Sequence, residues 1–286
     1  MKRIINSISV FGLGLIGGSF ALAIKHKFPE IKIYGVDQNP DHAAKALELK
    51  LIDEIKSADD KTVFESDLMI LAIPVSAIHS LLSHLLSSIS ENTIVIDAGS
   101  TKAGICQSVA QHPNRAQYVA AHPIAGTEYS GPEAAFPKLF EGKKNIICEY
   151  DLCNEMAKEY AKWLFETIGM ENIYMDAEAH DKHLAYVSHL SHISSFMLGL
   201  TVLNIEKDEE NILNLAGSGF ASTVRLAKSS PDMWAPIFEQ NQLHLSKALE
   251  EYILQLQHFQ KHLKEGNSTE LKALMHKANE IGKVLK

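Results

Sequence analysis

Ser9-Val10-Phe11-Gly12-Leu13-Gly14-Leu15-Ile16-Gly17 sets three glycines in the spacing G-x-G-x-x-G, after an apolar β-type run and before a helical one. Few folds use that pattern. Gly12 permits a tight turn, Gly14 lets the backbone approach a pyrophosphate, and Gly17 lets the helix pack closely on the strand; the helix N-terminus then favours negative charge. Asp37 follows Gly17 by twenty residues, at the end of Ile33-Tyr34-Gly35-Val36. A carboxylate there accepts hydrogen bonds from ribose hydroxyls. The spacing predicts a dinucleotide site built from Gly12, Leu13, Gly14, Leu15, Ile16, Gly17 and Asp37. The same carboxylate would repel a 2′-phosphate, and no arginine lies nearby in sequence to receive one, so NAD is expected rather than NADP. The bland alternative makes the glycines a generic turn and Asp37 a helix-flanking cap; the agreement of strand, glycines, helix and acid argues against it.

The rest of the first half keeps the same rhythm. Apolar β-type runs at 7–11, 31–36, 68–73, 93–97, 118–120 and 144–148 alternate with helical stretches at 17–27, 40–49 and 76–86. Alternation of this kind implies βαβ units and a parallel sheet. After Tyr150 the pattern turns helical. Asp176 can cap a helix over 177–203, Ser230-Pro231 opens one reaching about residue 264, and Asn267 with Glu270 forms a capping-box pattern for a last one. The expected architecture is α/β: a Rossmann-like dinucleotide-binding domain over 1–150, then an all-helical domain over 151–286. Long apolar-striped helices suit burial against a second subunit, so a homodimer through the helical domain is expected.

Composition excludes other classes. A net charge of −8 without any long basic run argues against a nucleic-acid partner. The 286 residues are 46% hydrophobic and 22% charged, enough to build a core without metals or disulfides. Cys106, Cys148 and Cys153 are odd in number and lack a C-x-x-C spacing, so they read as reduced thiols in a cytoplasmic protein. Lys2, Arg3 and the apolar residues after them resemble a signal peptide, but Gly12, Gly14, Gly17 and Gly18 interrupt the apolar stretch. No run approaches the ~18 apolar residues of a membrane-spanning helix.

Two later strand ends should line the same cleft, because ligands sit at the carboxyl ends of parallel strands. They bring Pro74, a rigid turn under the cofactor, and Ser100, a hydroxyl near the nicotinamide. His122, after a strand, can accept a proton as a ring hydroxyl becomes a carbonyl or phenol. Arg225 can clamp a carboxylate with charge-assisted hydrogen bonds. Taken singly, His122 also reads as a satisfied core histidine, Arg225 as an ion pair, and Trp234 as core. His180, His183, His189 and His192 invite a metal, but at about 100° per residue the first two point away from the last two, so no metal site is expected.

The segments GLGLIGGS (12–19), DAGSTK (97–102), HPIAGTEYSG (122–131), HD (180–181), SHLSH (188–192) and GSGFASTVRLAKSSPDMW (217–234), in that order, resemble the prephenate dehydrogenase family along nearly the whole chain. The resemblance implies NAD-dependent conversion of prephenate to 4-hydroxyphenylpyruvate in tyrosine biosynthesis. It makes His122 the catalytic histidine, Ser100 the serine that orients it and the substrate hydroxyl, and Arg225 the carboxylate grip. Thr127, Glu128, His192, Gly219 and Trp234 match positions lining the substrate pocket. Ser218 departs from the triple glycine of many relatives. The sister activity, arogenate dehydrogenase, would use the same histidine and arginine; His192 leans toward the keto acid by resemblance. A 3-hydroxyacid dehydrogenase usually relies on a lysine where this chain offers histidines, and a catalytically silent NAD-binding regulator would not need Ser100, His122 and Arg225. No fused chorismate mutase or regulatory domain is expected.

Overall fold

The structure, a computed structural model, describes residues 5–207 and 212–284. Lys2 and Arg3 of the leader-like stretch lie outside the described residues. β1 (Ser7–Phe11) leads through the glycine turn into α1 (Leu15–Lys27), and β2 (Lys32–Val36) leads into α2 (Pro40–Glu48). There follow β3 (Glu54–Ile55), α3 (Lys61–Phe64), β4 (Leu68–Leu71), α4 (Val75–Ser88), β5 (Ile94–Asp97) and α5 (Ala103–Ser108). The sheet is completed by β6 (Tyr118–Pro123), β7 (Lys144–Cys148), then α6 (Glu155–Thr167) and β8 (Glu171–Met175).

The eight strands lie in the order β3-β2-β1-β4-β5-β6-β7-β8. All neighbours run parallel except β6 and β7. The order reverses between β1 and β4, which opens a crevice at the carboxyl ends of those two strands. Alternation along β1 explains the layering. Ile8 and Val10 point into one core with Phe20, Ile24 and Phe165, whereas Phe11 points into the other with Leu71 and Ile78. Each such side chain contributes about 1.5–3 kcal/mol on burial, so both faces of the sheet are held by helices.

The sheet continues beyond residue 150, where the sequence rhythm places the domain boundary. β8 pairs in parallel with β7, so the chain leaves the sheet at Met175. Its residues Glu171-Asn172-Ile173-Tyr174-Met175 are half-buried or exposed throughout, which is why no apolar run announces an edge strand. β6 also runs further than the expected 118–120, so His122 stands on the strand rather than after it.

The remainder is helical: α7 (Ala177–Leu184), a π-turn over Ala185–His189, α8 (Leu190–Glu206), α9 (Ser218–Thr223), α10 (Pro231–Gln240), α11 (Gln242–Lys264) and α12 (Ser268–Ala278). Asp176 Oδ1 accepts from Ala179 N–H at 2.7 Å and Asn267 Oδ1 from Glu270 N–H at 3.2 Å, so both expected caps form. Two expected helices are divided. The 177–203 segment carries the π-turn, and the helix opened by Pro231 breaks at Asn241. Among the described residues no helix is long and apolar enough to cross a membrane.

Candidate active site

The glycine turn is wedged between two strands. Gly12 N–H donates to Val36 O at 2.8 Å, and Ala72 N–H donates to Phe11 O at 2.7 Å. Gly12 sits at φ +85°, and a Cβ there would overlap Ala72 O. A Cβ on Gly17 would overlap Gly12 O, so α1 can start this close to β1 only with glycine at that position. Around Gly14 there is room: its nearest neighbour to an added Cβ is Gly131 N, at 4.0 Å. The first turn of α1, with Leu15 and Ile16, has no capping side chain and no acid. Its N–H groups are therefore left for an anion from outside the chain. Asp37 braces the turn, accepting from Leu13 N–H at 2.8 Å and from Asn39 N–H at 2.9 Å, and stays half-exposed. Pro74 caps the start of α4 and is exposed beside Ile73.

The loop after β5 rests on a buried charge pair. Lys102 Nζ bonds the Asp97 carboxylate and donates to Ala121 O at 2.8 Å, and both side chains are wholly buried. Tyr118 OH donates to Asp97 Oδ1 at 2.9 Å, and Gly99 N–H donates to Oδ2 at 3.0 Å. Burial, with the Asp97 charge behind it, pushes the Tyr118 phenol well above its ordinary range, so it stays a donor. Ser100 is half-buried on this loop and makes no hydrogen bond to His122 among the described residues.

His122 instead faces His180. Its Nδ1 lies 2.8 Å from His180 Nε2, and His180 Nδ1 lies 2.7 Å from Asp181 Oδ1. Asp181 also accepts from Lys102 N–H at 2.8 Å and Ala103 N–H at 2.9 Å, so one carboxylate on α7 holds the start of α5. Burial works to raise the Asp181 carboxyl, but the His180 hydrogen bond and those two N–H groups outweigh it and keep it below the usual range. Burial, then His180, Lys102 and His189, hold His122 well below the ordinary histidine value, so its imidazole is neutral at pH 7. In the sequence His180 stands out as one of four clustered histidines and, with Asp181, as the HD match, neither of which pairs it with His122; the adjacent His-Asp beside a helix start was the available signal.

On the helical side, His192 of α8 stacks on Trp234 of α10, ring centroids 3.5 Å apart and 27° between planes. His192 Nδ1 donates to Ser188 O at 3.1 Å. Burial lowers His192, the bond to Ser188 O partly offsets it, and the Arg225 charge adds to the lowering. Arg225 begins a 3-10 turn (Arg225–Lys228) and is exposed; Gly219 on α9 is exposed too. This segment is tied to α8 by Ser195 Oγ, which donates to Thr223 O at 2.6 Å. Thr127 and Glu128 are exposed on the loop after β6, which passes Gly14 at Gly131 and reaches α1 where Phe136 N–H donates to Ser19 Oγ at 3.1 Å. A cavity of about 340 Å³ lined by Lys182, Tyr186, Leu243, His244 and Lys247 contains none of these residues.

The four histidines do not divide as uninterrupted helical geometry implies. The π-turn changes the phase, so His189 is buried like His180, and Asn241 Nδ2 bridges His189 Nδ1 at 3.1 Å and Asp181 O at 2.7 Å. His183 is exposed. Among the described residues no three His, Cys, Asp or Glu side chains converge as a metal site.

A family model described as prephenate dehydrogenase, nucleotide-binding domain, matches residues 20–174, and one described as prephenate dehydrogenase, dimerization domain, matches 176–277. The chain is 32% identical over 273 residues to a prephenate dehydrogenase of Bacillus subtilis, covering 95% of this chain and 74% of the relative. It is 31% identical over 250 residues to a cyclohexadienyl dehydrogenase of Zymomonas mobilis, covering 87% and 85%. In structure it is similar to prephenate dehydrogenase from Aquifex aeolicus in complex with hydroxyphenyl propionate and NAD+, with TM-score 0.90, 30% identity and 100% of each chain covered.

Proposed function

Because the chain belongs to the prephenate dehydrogenase family, we propose that it carries out the NAD-dependent oxidative decarboxylation of prephenate to 4-hydroxyphenylpyruvate, a step of tyrosine biosynthesis. The observation that carries the reading is a neutral, half-buried His122 at the carboxyl end of β6, backed by His180 and Asp181. The cofactor fits the residues present. The uncapped first turn of α1, the space at Gly14 and the Asp37 carboxylate suit a pyrophosphate and an adenosine ribose without a 2′-phosphate.

NAD, held at the first turn of α1 and Asp37, would supply the hydride acceptor for the ring carbon that bears the hydroxyl. His122 takes the hydroxyl proton as that carbon becomes a carbonyl. Cleavage of the bond to the ring carboxylate then releases carbon dioxide and sends its electron pair through the ring to the oxygen, and His122 returns the proton to the phenolate. No net proton is released. A positioned histidine base typically contributes ~10²–10⁴-fold, and aromatisation makes the overall step downhill. Ser100 orients the hydroxyl, Arg225 grips a substrate carboxylate, and Thr127, Glu128, His192, Gly219 and Trp234 line the pocket around the side chain. The exposure of Arg225, Gly219, Thr127 and Glu128 suits a pocket completed by assembly. Apolar Met197, Leu200 and Leu203 on α8 and Leu254, Leu256 and Leu263 on α11 are exposed, and pairing two chains through the helical domain would cover them. The three thiols are free and buried, which suits a cytoplasmic enzyme.

The test is absorbance at the NADH band with NAD and prephenate, with arogenate and NADP in parallel. A rise with prephenate and NAD is expected. A rise with arogenate alone would move the chain to the sister activity, and silence with every pair would sink the reading.

A further inference from the structure

Prephenate chemistry needs His122 not merely neutral but neutral in one tautomer. Its Nε2 must carry a lone pair for the substrate hydroxyl, so its proton must sit on Nδ1. Free imidazole has no strong reason to choose this arrangement, and Ser100 does not impose it, because no bond joins the two side chains. The cause lies on α7. A carboxylate held in its ionised form only accepts hydrogen bonds, so the 2.7 Å contact requires His180 to carry its proton on Nδ1, facing Asp181. His180 Nε2 is then an acceptor, and the 2.8 Å contact requires His122 to donate from Nδ1.

We infer that His180 is a positioning residue and that Asp181, acting through it, locks the proton of His122 on Nδ1 and leaves Nε2 as the acceptor for the reacting hydroxyl. The inference rests on the reading of His122 as the base. Asp181 has no freedom to turn away, since Lys102 N–H, Ala103 N–H and His180 occupy its two oxygens and Asn241 holds its backbone carbonyl. The same two N–H groups begin the helix that follows the Ser100 loop, so one residue of the helical domain sets both the loop carrying the hydroxyl and the tautomer of the histidine.

The test combines a spectrum with kinetics. In protein labelled with ¹⁵N in its histidine rings, assigned by difference with His122→Asn and His180→Gln, His122 and His180 should both show the Nδ1–H tautomer at pH 8 without substrate. Asp181→Asn removes the carboxylate that can only accept; its amide can accept from or donate to His180, so the proton order is no longer fixed and the Nε2–H form of His122 becomes populated. Its kcat with prephenate should fall ~10²–10⁴-fold, the scale of a wrong-tautomer defect in a histidine-based site, with KM changed less than about threefold. His180→Gln keeps an acceptor oxygen toward Nδ1 and should retain about tenfold or more activity over His180→Leu. An Nε2–H His122 in the wild type, kcat within about threefold of wild type in folded Asp181→Asn, or equal rates for the Gln and Leu variants would overturn the inference. A wild-type enzyme silent with prephenate would count against the proposed function alone, because the tautomer is read without substrate.

Discussion

Acid should destabilise this protein before its carboxylates titrate, and His189 allows the size to be worked out. Burial, partly offset by the Asp181 charge, lowers His189 to about 4. An unfolded histidine titrates near 6.5 (roughly), so between these values the unfolded chain binds the proton and the folded one does not. The stability from keeping this ring neutral is therefore complete above pH ~6.5 and is lost as the pH falls toward the folded value. At pH ~5 the unfolded state gains a protonation factor of about 30 and the folded state about 1, so the loss is about 2 kcal/mol. His189→Asn isolates it: Asn241 Nδ2 donates to His189 Nδ1 at 3.1 Å, and an asparagine oxygen can take that bond without titrating. Urea unfolding of both proteins, at about pH 7.5 and 5 and one protein concentration, should show a wild-type loss larger by about 2 kcal/mol. His122, His180 and His192 are also lowered by burial, but they are present in both proteins and cancel. Equal losses would refute the claim that His189 enters the fold as a buried neutral ring.

Gly17→Ala forces a methyl against Gly12 O, so α1 must shift from β1; about 1–3 kcal/mol of stability and NAD affinity should both drop, and an unchanged Kd by NADH fluorescence would contradict this. Lys102→Met strands the Asp97 carboxylate in the core with only Tyr118 OH, Gly99 N–H and Ala121 N–H for company. Unfolding free energy should fall by about 3–5 kcal/mol, and a loss below about 1 would mean the pair is not a matched buried unit. Arg225→Ala should raise KM for prephenate ~10–100-fold, the loss of a charge-assisted carboxylate grip, with kcat little changed; an unchanged KM would remove Arg225 from the pocket. His122→Asn should lower kcat ~10²–10⁴-fold, and an unchanged turnover would exclude it as the base.

Elements whose information is local were readable from the residues alone. β1, β5, β7 and the caps at Asp176 and Asn267 follow from short apolar runs and from side chains that bond N–H groups three residues away. β3 and β8 were not readable. β3 is two exposed residues, and β8 is an edge strand whose pairing with β7 is decided by α6 packing on the sheet, not by its own composition. The break between α10 and α11 is of the same kind: Asn241 is an ordinary helical residue until its amide is drawn to Asp181 O and His189.

The site divides along the same line. Gly12, Gly17 and Asp37 are legible because each acts within a few residues of a turn, where spacing carries the geometry. The group that faces His122 was not, because it lies 58 positions away and its orientation depends on a helix irregularity. Treating residues 177–203 as one regular helix sends His189 and His192 to the side opposite His180. Five residues of π-turn undo that phase and bury His189 behind the same carboxylate. A helix pays for such a turn with poorer hydrogen bonding, so it persists where tertiary contacts hold it. Here those contacts are Asn241 and Asp181, which means the irregularity and the His122 relay stand or fall together: a substitution that straightens α7 into α8 should disturb the base before it disturbs the fold.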